Sequence, residues 1–192
     1  MCGENGRPNT TWTHEEASGT LLEYIVDKYY IDISKEDLRK ITAMIQGDKP
    51  TTNHSNNFLY EIVANKDNSV DVDKFDYLSR DAYNAGLKTA HFDYDRLIDS
   101  SRVIADTICF NAKNDYNVYG VFQSRYQLFK DLYKEKSSTA INFMISDALM
   151  EAAGVYKYLE YIHDPEEYVK LTDCFIESIE YSKNPVTYSI SI

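Results

Sequence analysis

A scarcity of turn-forming residues is the feature that most constrains how this chain can fold. Only seven glycines and four prolines occur in 192 residues, which is about half of the usual share of roughly 12%. Because glycine and proline commonly end helices and strands, so few of them favour long elements with few connections. The chain is therefore expected to be mainly α-helical, and its length allows one domain of ordinary size.

Capping patterns predict where several helices begin and end. Thr13-His14-Glu15-Glu16 is a capping box that predicts a helix over 13–30. Ser34 and Gly47 are the expected cap and stop of a second helix. Further elements are expected as helices near 58–65, 72–85, 93–102, 116–135, 137–153 and 164–182, and at most a short β-hairpin near 107–113.

Charge and cysteine usage exclude some classes of function. The formal net charge is −11 with an isoelectric point near 4.8, so binding to a nucleic-acid backbone is not expected. The cysteines Cys2, Cys109 and Cys174 show no paired spacing, which suits a reducing compartment. The sequence has no apolar run of membrane-spanning length. A soluble intracellular protein without a membrane partner is expected.

One predicted helix, within 71–86, carries an unusual polar face. Its acidic and phenolic side chains recur at i, i+4 and i+8: Asp73, Tyr77 and Asp81. Lys74 and Arg80 lie beside this face. The pattern indicates either a ligand-binding face or an ordinary solvated face on a helix that is capped by Asp71 or Asp73.

A second stripe of the same spacing consists of Arg125, Phe129 and Tyr133. Arginine suits phosphate because its guanidinium presents a planar fork of donors, and tyrosine offers a ring and a hydroxyl. The alternative is an aromatic core stripe whose arginine reaches out to solvent.

The adjacent His163-Asp164 pair resembles the core of a metal site, but Pro165 follows it directly. A proline at the first helical position makes Asp164 an expected helix cap rather than a ligand. A phosphate-cradling glycine loop, HExxH and GxSxG do not occur in the sequence.

Several longer stretches carry a specific resemblance. They are Trp12-Thr13-His14-Glu15, FLYEIVANKDNSVDVDKFDYLSRDAYNAG at 58–86, FDYDRLI at 92–98, the FxSRYxL pattern at 122–128 and YVKLTD at 168–173. In these the chain resembles the SAM and HD domain-containing deoxynucleoside triphosphate triphosphohydrolases. The resemblance implies a helical-bundle fragment of the HD-domain phosphohydrolase fold, with residues 1–192 forming one partial domain from the middle of the catalytic region.

The resemblance also implies substrate-binding roles for both polar stripes. The family hydrolyses a dNTP to a deoxynucleoside and inorganic triphosphate. Lys74, Tyr77 and Arg125 match residues that hold the triphosphate. Asp81 matches the carboxylate that binds the 3′-hydroxyl, and Tyr133 matches the ring that rejects a 2′-hydroxyl.

The implied metal site is expected to be incomplete. The family uses a divalent ion (Mg, Mn, Fe or Zn) held by two histidines and two aspartates, of which Asp73 matches the last. The other ligands would precede Trp12, where only eleven residues stand. His14 matches a catalytic histidine near the scissile phosphate. We therefore expect a truncated member that does not retain the ion and is inactive alone, and that lacks the C-terminal regulatory lobe as well.

Regulatory nucleotide sites of the family lie at subunit interfaces. The matching positions are Arg96, Lys113, Asn117 and Lys136. Asn111 stands where the family has arginine and Lys134-Glu135 replace a Gln-His pair, so weakened or altered regulation is expected. Homo- or hetero-oligomers with longer family members are the implied assemblies.

Two functions stay open at this point. The first is a dGTPase-like dNTP triphosphohydrolase fragment, concerned with nucleotide pools in the nucleus or cytoplasm. The alternative is a non-catalytic helical module that binds nucleotide or joins full-length subunits and modulates them.

Overall fold

Capping side chains define the first two helices. The computed structural model describes residues 12–50, 56–88, 92–156 and 158–181. Helix α1 covers His14–Lys28 and helix α2 covers Lys35–Gln46. The hydroxyls of Thr13 and Ser34 each accept a hydrogen bond from the N–H three residues further on, at 3.2 Å and 3.0 Å. Both predicted helix starts are confirmed, since each orphaned N–H receives the expected partner.

The chain divides into two compact units, Met1–Ser69 and Val70–Ile192. In the first unit α1 packs against α2, and α2 contacts a 3₁₀-helix at Asn57–Glu61. This element is shorter than the helix predicted near 58–65. The side-chain oxygen of Asn65 accepts hydrogen bonds from the N–H groups of Asp67 and Asn68, at 3.0 and 3.2 Å. These bonds form a turn in place of the last part of the predicted helix. The expectation of one partial domain over 1–192 stays a prediction.

Gly47 ends α2 as predicted, and its position permits no side chain. Its φ is +66°, and a Cβ there would lie 2.3 Å from the carbonyl oxygen of Ala64. The left-handed backbone and the close approach of another segment both require glycine. The residue therefore holds the end of α2 against the segment that follows the 3₁₀-helix.

A buried carboxylate at the end of the 3₁₀-helix binds the lysine that follows α2 in the first unit. The ammonium of Lys49 lies 2.6 Å from Oε1 of Glu61, whose side chain is 0% exposed, and it also pairs with Asp67. Burial alone would lower the pKa of Lys49, but the hydrogen bonds to Asp67 and Glu61 raise it above its usual value. The pair thus neutralises a charge that would be costly to bury alone.

Helices also dominate the second unit. In chain order its elements are α3 (Val72–Asn84), α4 (Tyr94–Asp99), β1 (Arg102–Ile104), β2 (Thr107–Cys109), a 3₁₀-helix (Ala112–Asn114), α5 (Asp115–Leu128), a π-helix (Phe129–Tyr133), α6 (Lys136–Tyr156), α7 (Tyr158–Tyr161), α8 (Pro165–Tyr168) and α9 (Cys174–Glu180). The mainly α fold class is confirmed. None of the helices in the described ranges is long and apolar enough to cross a bilayer.

The core of this unit forms where α3 packs against α5. Its buried apolar residues are Val70, Phe75, Leu78, Ala82, Leu97, Val121 and Leu128. Tyr77 and Tyr133 pack against the edge of this cluster. The two polar stripes therefore stand beside a common core, on helices that contact each other.

The hairpin differs from the prediction in its first strand. Arg102 was expected to end a helix, but α4 ends at Asp99 and residues 102–104 form β1, antiparallel to β2. Ala105 and Asp106 have φ values of +50° and +62° and make the two-residue turn that suits a hairpin. The predicted hairpin strand near 107–113 is confirmed, although it ends at Cys109.

The last predicted helix is wrong in its length. Instead of one helix over 164–182, α8 ends at Tyr168 and α9 begins at Cys174. Val169 and Thr172, both β-branched and weak helix formers, lie in the interval. The predicted cap is confirmed, because a carboxylate oxygen of Asp164 accepts a hydrogen bond from the N–H of Glu166 at 3.0 Å.

Candidate functional site

The first turn of α3 is capped by Asp71. Its Oδ1 accepts the N–H of Lys74 at 3.1 Å, and its Oδ2 accepts the Lys74 ammonium at 2.9 Å. The choice left open between Asp71 and Asp73 is thereby decided. Asp73 stands exposed inside the first turn, where it does not serve as the cap.

The C-terminal half of α3 is joined to the π-helix by one short hydrogen bond. The hydroxyl of Tyr133 donates to Oδ2 of Asp81 at 2.5 Å, across 52 residues of chain. The Asp81 side chain is 27% exposed, so its carboxylate still faces solvent. Because a carboxylate has about four acceptor positions, it can accept further hydrogen bonds while it holds the phenol.

The phenol is held in its protonated form. Burial raises the pKa of Tyr133 well above its usual value, and the hydrogen bond and charge of Asp81 raise it further. Tyr77 acts in the same direction and Arg80 opposes it. Tyr133 therefore donates its proton to Asp81 throughout the neutral range.

A stack of side chains extends from Tyr133 toward solvent. The guanidinium carbon of Arg125 lies 4.7 Å from the ring centre of Phe129. The rings of Phe129 and Tyr133 meet edge to face at 5.1 Å, with planes 79° apart. We call these three residues the Arg125–Phe129–Tyr133 stack. It places an exposed cation and a partly buried phenol on one face.

Arg80 neutralises Asp81 only in part. Its guanidinium makes contacts of 3.0 and 3.2 Å with Asp76, one helical turn earlier, and a longer contact of 3.5 Å with Asp81. The closest partner of Asp81 is thus a neutral phenol. Because Arg80 is shared between Asp76 and Asp81, the Asp81 carboxylate can still accept a hydrogen bond from a ligand.

Lys74 and Asp73 lie at the other end of the same helix. They are seven and eight residues before Asp81, which is roughly 10–12 Å along the axis. Lys74 is directed to Asp71, and Asp73 interacts electrostatically with Arg80. The phosphate and metal roles expected of this end stay predictions.

His14 belongs to the first unit, where it is the first residue of α1. It is exposed, and its Nδ1 lies 2.8 Å from Oε2 of Glu15. Its expected catalytic role stays a prediction.

The expected regulatory residues lie on four elements of the second unit: Arg96 on α4, Lys113 in the 3₁₀-helix, Asn117 on α5 and Lys136 at the start of α6. Arg96, Lys113 and Lys136 are exposed. Asn117 is engaged instead in a two-point contact, since its amide accepts the N–H of Asp93 and donates to the Asp93 carbonyl, both at 2.7 Å. This contact, which sequence reasoning missed, ties α5 to the start of α4.

The described residues do not fit the expected metal site. Within 12–50, 56–88, 92–156 and 158–181 no three His, Cys, Asp or Glu side chains lie close enough to hold an ion. Asp73 alone provides too few ligands, because a divalent ion needs several converging groups.

Comparison with known proteins places the chain among relatives of one kind. It is 43% identical over 173 residues to the deoxynucleoside triphosphate triphosphohydrolase SAMHD1 homolog of Dictyostelium discoideum, with 90% of the chain covered. It is 35% identical over 212 residues to human deoxynucleoside triphosphate triphosphohydrolase SAMHD1, with 93% covered. A putative HD domain-containing protein of Acanthamoeba polyphaga mimivirus is 30% identical over 176 residues, with 90% covered. No family model matches the chain.

The chain spans about a third of the length of these relatives, namely 33%, 34% and 37%. The match nevertheless extends over about nine tenths of the chain itself and includes both polar stripes. With the mainly α architecture and the α3–α5 core, it shows that the chain belongs to the SAM and HD domain-containing deoxynucleoside triphosphate triphosphohydrolase family.

Proposed function

We propose that the second unit recognises deoxynucleotides for a dNTP triphosphohydrolase, which converts a dNTP and water to a deoxynucleoside and inorganic triphosphate. The observation that carries the proposal is the hydrogen bond between Tyr133 and Asp81, which is 2.5 Å long and partly buried. This bond holds a carboxylate and an aromatic ring next to each other at the surface. Those two groups suit a sugar that has a hydroxyl at one position and none at the next.

Asp81 is proposed to accept the 3′-hydroxyl of the sugar. One of its oxygens holds Tyr133, and further lone pairs face solvent. The Tyr133 ring, fixed by this bond, then excludes bulk on the neighbouring 2′ carbon. For this discrimination, the Tyr133 ring and the Asp81 carboxylate must keep their positions when the nucleotide binds.

Arg125 is proposed to bind the triphosphate together with Lys74 and Tyr77. A guanidinium that rests with its face on a ring keeps its in-plane N–H groups available for phosphate oxygens. The guanidinium carbon of Arg125 lies over the Phe129 ring, 4.7 Å from its centre, and we propose that its N–H groups are available to phosphate in this way. The acidic surroundings oppose a polyanion, so weak binding that strengthens at low salt is expected.

The hydrolytic step in this family uses a divalent ion, which polarises a phosphoryl group and activates water. Asp73 is the one residue proposed as a ligand here, and a single carboxylate does not hold such an ion against water. We therefore expect the 192-residue chain to release no triphosphate with Mg²⁺ or Mn²⁺. Metal-dependent release that Asp73→Ala abolishes would contradict this.

Calorimetric titration with each of the four dNTPs at low salt tests the proposed recognition. Arg125→Ala is expected to weaken binding of dATP by about tenfold or more, because a charge-assisted fork is lost. Arg102→Ala, an exposed arginine on β1, is the matched control and should bind as the wild type does. Equal losses in the two variants would point to general electrostatics and not to a site.

The dGTPase-like character is a finer part of the proposal. If this part is right, dGTP is bound at least as tightly as the other three nucleotides in the same titration. Binding of dATP, dCTP and dTTP without binding of dGTP would contradict the dGTPase-like character. A dNTP-related function also implies a nuclear or cytoplasmic location.

One observation favours the second candidate, a module that joins subunits. The outer face of α5 carries aromatic rings that are 38–81% exposed, namely Tyr116, Tyr119, Phe122 and Tyr126. The opposite face of α5 is buried against α3. A helix that is apolar on both sides is usually covered on both, so a second copy or a longer family member is the proposed partner.

Light scattering of the purified chain tests this candidate. Self-association that Tyr119→Ser with Tyr126→Ser abolishes is expected. Tyr83→Ser with Tyr181→Ser, two exposed tyrosines that are not part of α5, is the control pair. A monomer at all concentrations, or equal effects of the two pairs, would contradict a role of the α5 face.

A further inference from the structure

In the proposed function Phe129 supports only Arg125, and its contact with Tyr133 has no role yet. Sequence reasoning placed Phe129 in the stripe but assigned its chemistry to the two neighbours. We propose that Phe129 is the positioning residue that holds both the phosphate-binding cation and the sugar-facing phenol of this site. The inference rests on the proposed function, which it deepens.

The geometry shows one ring in two different contacts. Its face lies 4.7 Å from the Arg125 guanidinium, and its contact with Tyr133 is edge to face at 5.1 Å. An aromatic face attracts a cation, and an edge-to-face pair is a favoured arrangement of two rings. A single ring is therefore in contact with both groups and can orient both.

The backbone at this point supports the arrangement. In an α-helix, eight residues turn about 80° beyond two full turns, so Tyr133 would rotate away from Arg125. From Phe129 to Tyr133 the helix is a π-helix, in which the N–H of Lys134 bonds to the carbonyl of Phe129 at 2.9 Å. A five-residue bond spacing widens the turn and reduces that rotation. The stack is thus a product of the helix type as well as of the spacing.

Phe129→Leu tests the aromatic character of the side chain separately from its volume. Leu fills most of the space but offers no aromatic ring, either to a cation or to an edge-to-face contact with a phenol. In Phe129→Leu the Arg125 side chain should sample more orientations, and water should reach the Tyr133 hydroxyl more easily. Phe129→Tyr keeps the ring and should restore both.

The first arm of the test needs no ligand. Tyrosine labelled with ¹³C at Cζ reports the ionisation of each hydroxyl by NMR, and Tyr133→Phe assigns the Tyr133 signal among the seventeen tyrosines. In Phe129→Leu the Tyr133 titration should move down toward the ordinary tyrosine range, whereas in Phe129→Tyr it should stay raised. Phe143→Leu, the same change at an exposed ring on α6, should leave it unchanged.

The second arm uses inorganic triphosphate, dATP and ATP in calorimetry. Loss of the cation–π contact should weaken triphosphate binding by roughly twofold to fivefold, and loosening of Tyr133 should lower the preference for dATP over ATP. Phe129→Tyr should bind as the wild type does. If Phe129→Leu changed only the triphosphate affinity, or only the preference for dATP over ATP, a shared positioning role would be wrong.

The two arms separate this inference from the proposed function. If the wild type binds no nucleotide, the proposed function fails, and the NMR arm alone decides the role of Phe129. A Tyr133 titration that is identical in wild type and Phe129→Leu overturns the inference whatever the binding data show. If far-UV circular dichroism shows that Phe129→Leu is unfolded, Phe129→Met, whose flexible side chain adapts to a core gap, takes its place in both arms.

Discussion

Two carboxylates, Glu61 in the first unit and Asp81 in the second, each join distant parts of the chain but in opposite ways. Glu61 is fully buried and bonds to the ammonium of Lys49, twelve residues away. Asp81 is 27% exposed and bonds to the neutral phenol of Tyr133, fifty-two residues away. A carboxylate whose charge is met inside the protein serves stability, whereas one bonded mainly to a neutral donor keeps its charge for a ligand.

The largest expected effect concerns Glu61. Glu61→Ala leaves the Lys49 ammonium without its buried partner, and the unfolding free energy should fall by roughly 3 kcal/mol. Asp67→Asn removes the exposed partner of the same lysine and should cost less. Urea denaturation followed by circular dichroism measures both. Equal losses in the two variants would break the distinction between the buried and the exposed carboxylate.

At the other carboxylate, Asp81→Asn should change stability little and ligand affinity strongly. The amide is nearly isosteric and can still accept the Tyr133 hydroxyl, so the unfolding free energy should change by about 1 kcal/mol or less. Calorimetric affinity for dATP should fall by about tenfold, because the sugar hydroxyl then meets a neutral acceptor. A variant that loses stability but keeps its affinity would place Asp81 with Glu61 as a structural group.

The Asp81–Tyr133 pair also predicts how stability depends on pH. Since burial and Asp81 raise the pKa of Tyr133 in the folded chain, folding is favoured fully below the ordinary tyrosine pKa of about 10. Above that pH the unfolded chain releases this proton first, so stability falls as pH rises. Denaturation between pH 9 and 11 should show a steeper loss for the wild type than for Tyr133→Phe. Parallel curves would contradict a raised pKa.

The smallest expected effect concerns a third carboxylate whose partners are all local. Glu135 accepts the N–H groups of Ser137 and Ser138 at 2.7 and 3.1 Å at the start of α6. The bond from the Ser138 N–H is the largest cause that lowers the pKa of Glu135. Its contribution to stability is thus present above the ordinary glutamate pKa and is lost as pH falls through the lowered value.

Glu135→Gln should therefore reduce the melting temperature slightly at pH 7 and less at low pH. Differential scanning calorimetry at pH 7 and pH 3 measures this difference. A change as large as that of Glu61→Ala would mean that local caps stabilise this fold as much as buried pairs do.

Local features of the fold could be predicted from sequence, and non-local ones could not. The caps at Thr13, Ser34 and Asp164 depend on residues within one turn, and the predictions there are confirmed. The first hairpin strand was missed because residues 93–102 have a helix-like start at Asp93, and the strand is stabilised only by its pairing with β2.

The candidate site shows the same limit. Spacing placed Asp81 and Tyr133 on stripes, and the family resemblance supplied a reason to bring them together. Their contact itself depends on the packing of α3 against α5 and on the π-helix, and no i, i+4 pattern reveals a π-helix. Likewise, residue type alone did not show that both polar groups of Asn117 bond to the backbone of Asp93.

The central claim is that the Asp81–Tyr133 pair recognises a deoxyribose. Calorimetry with dATP, 2′,3′-dideoxy-ATP and ATP at one low salt concentration tests it most directly, since the three ligands share base and phosphates and differ only at the sugar. The account predicts that dATP binds about tenfold more tightly than the dideoxynucleotide, because the 3′-hydroxyl bond is lost. It also predicts that dATP binds more tightly than ATP, and that Asp81→Asn removes the first difference. Equal affinity for all three nucleotides would contradict it.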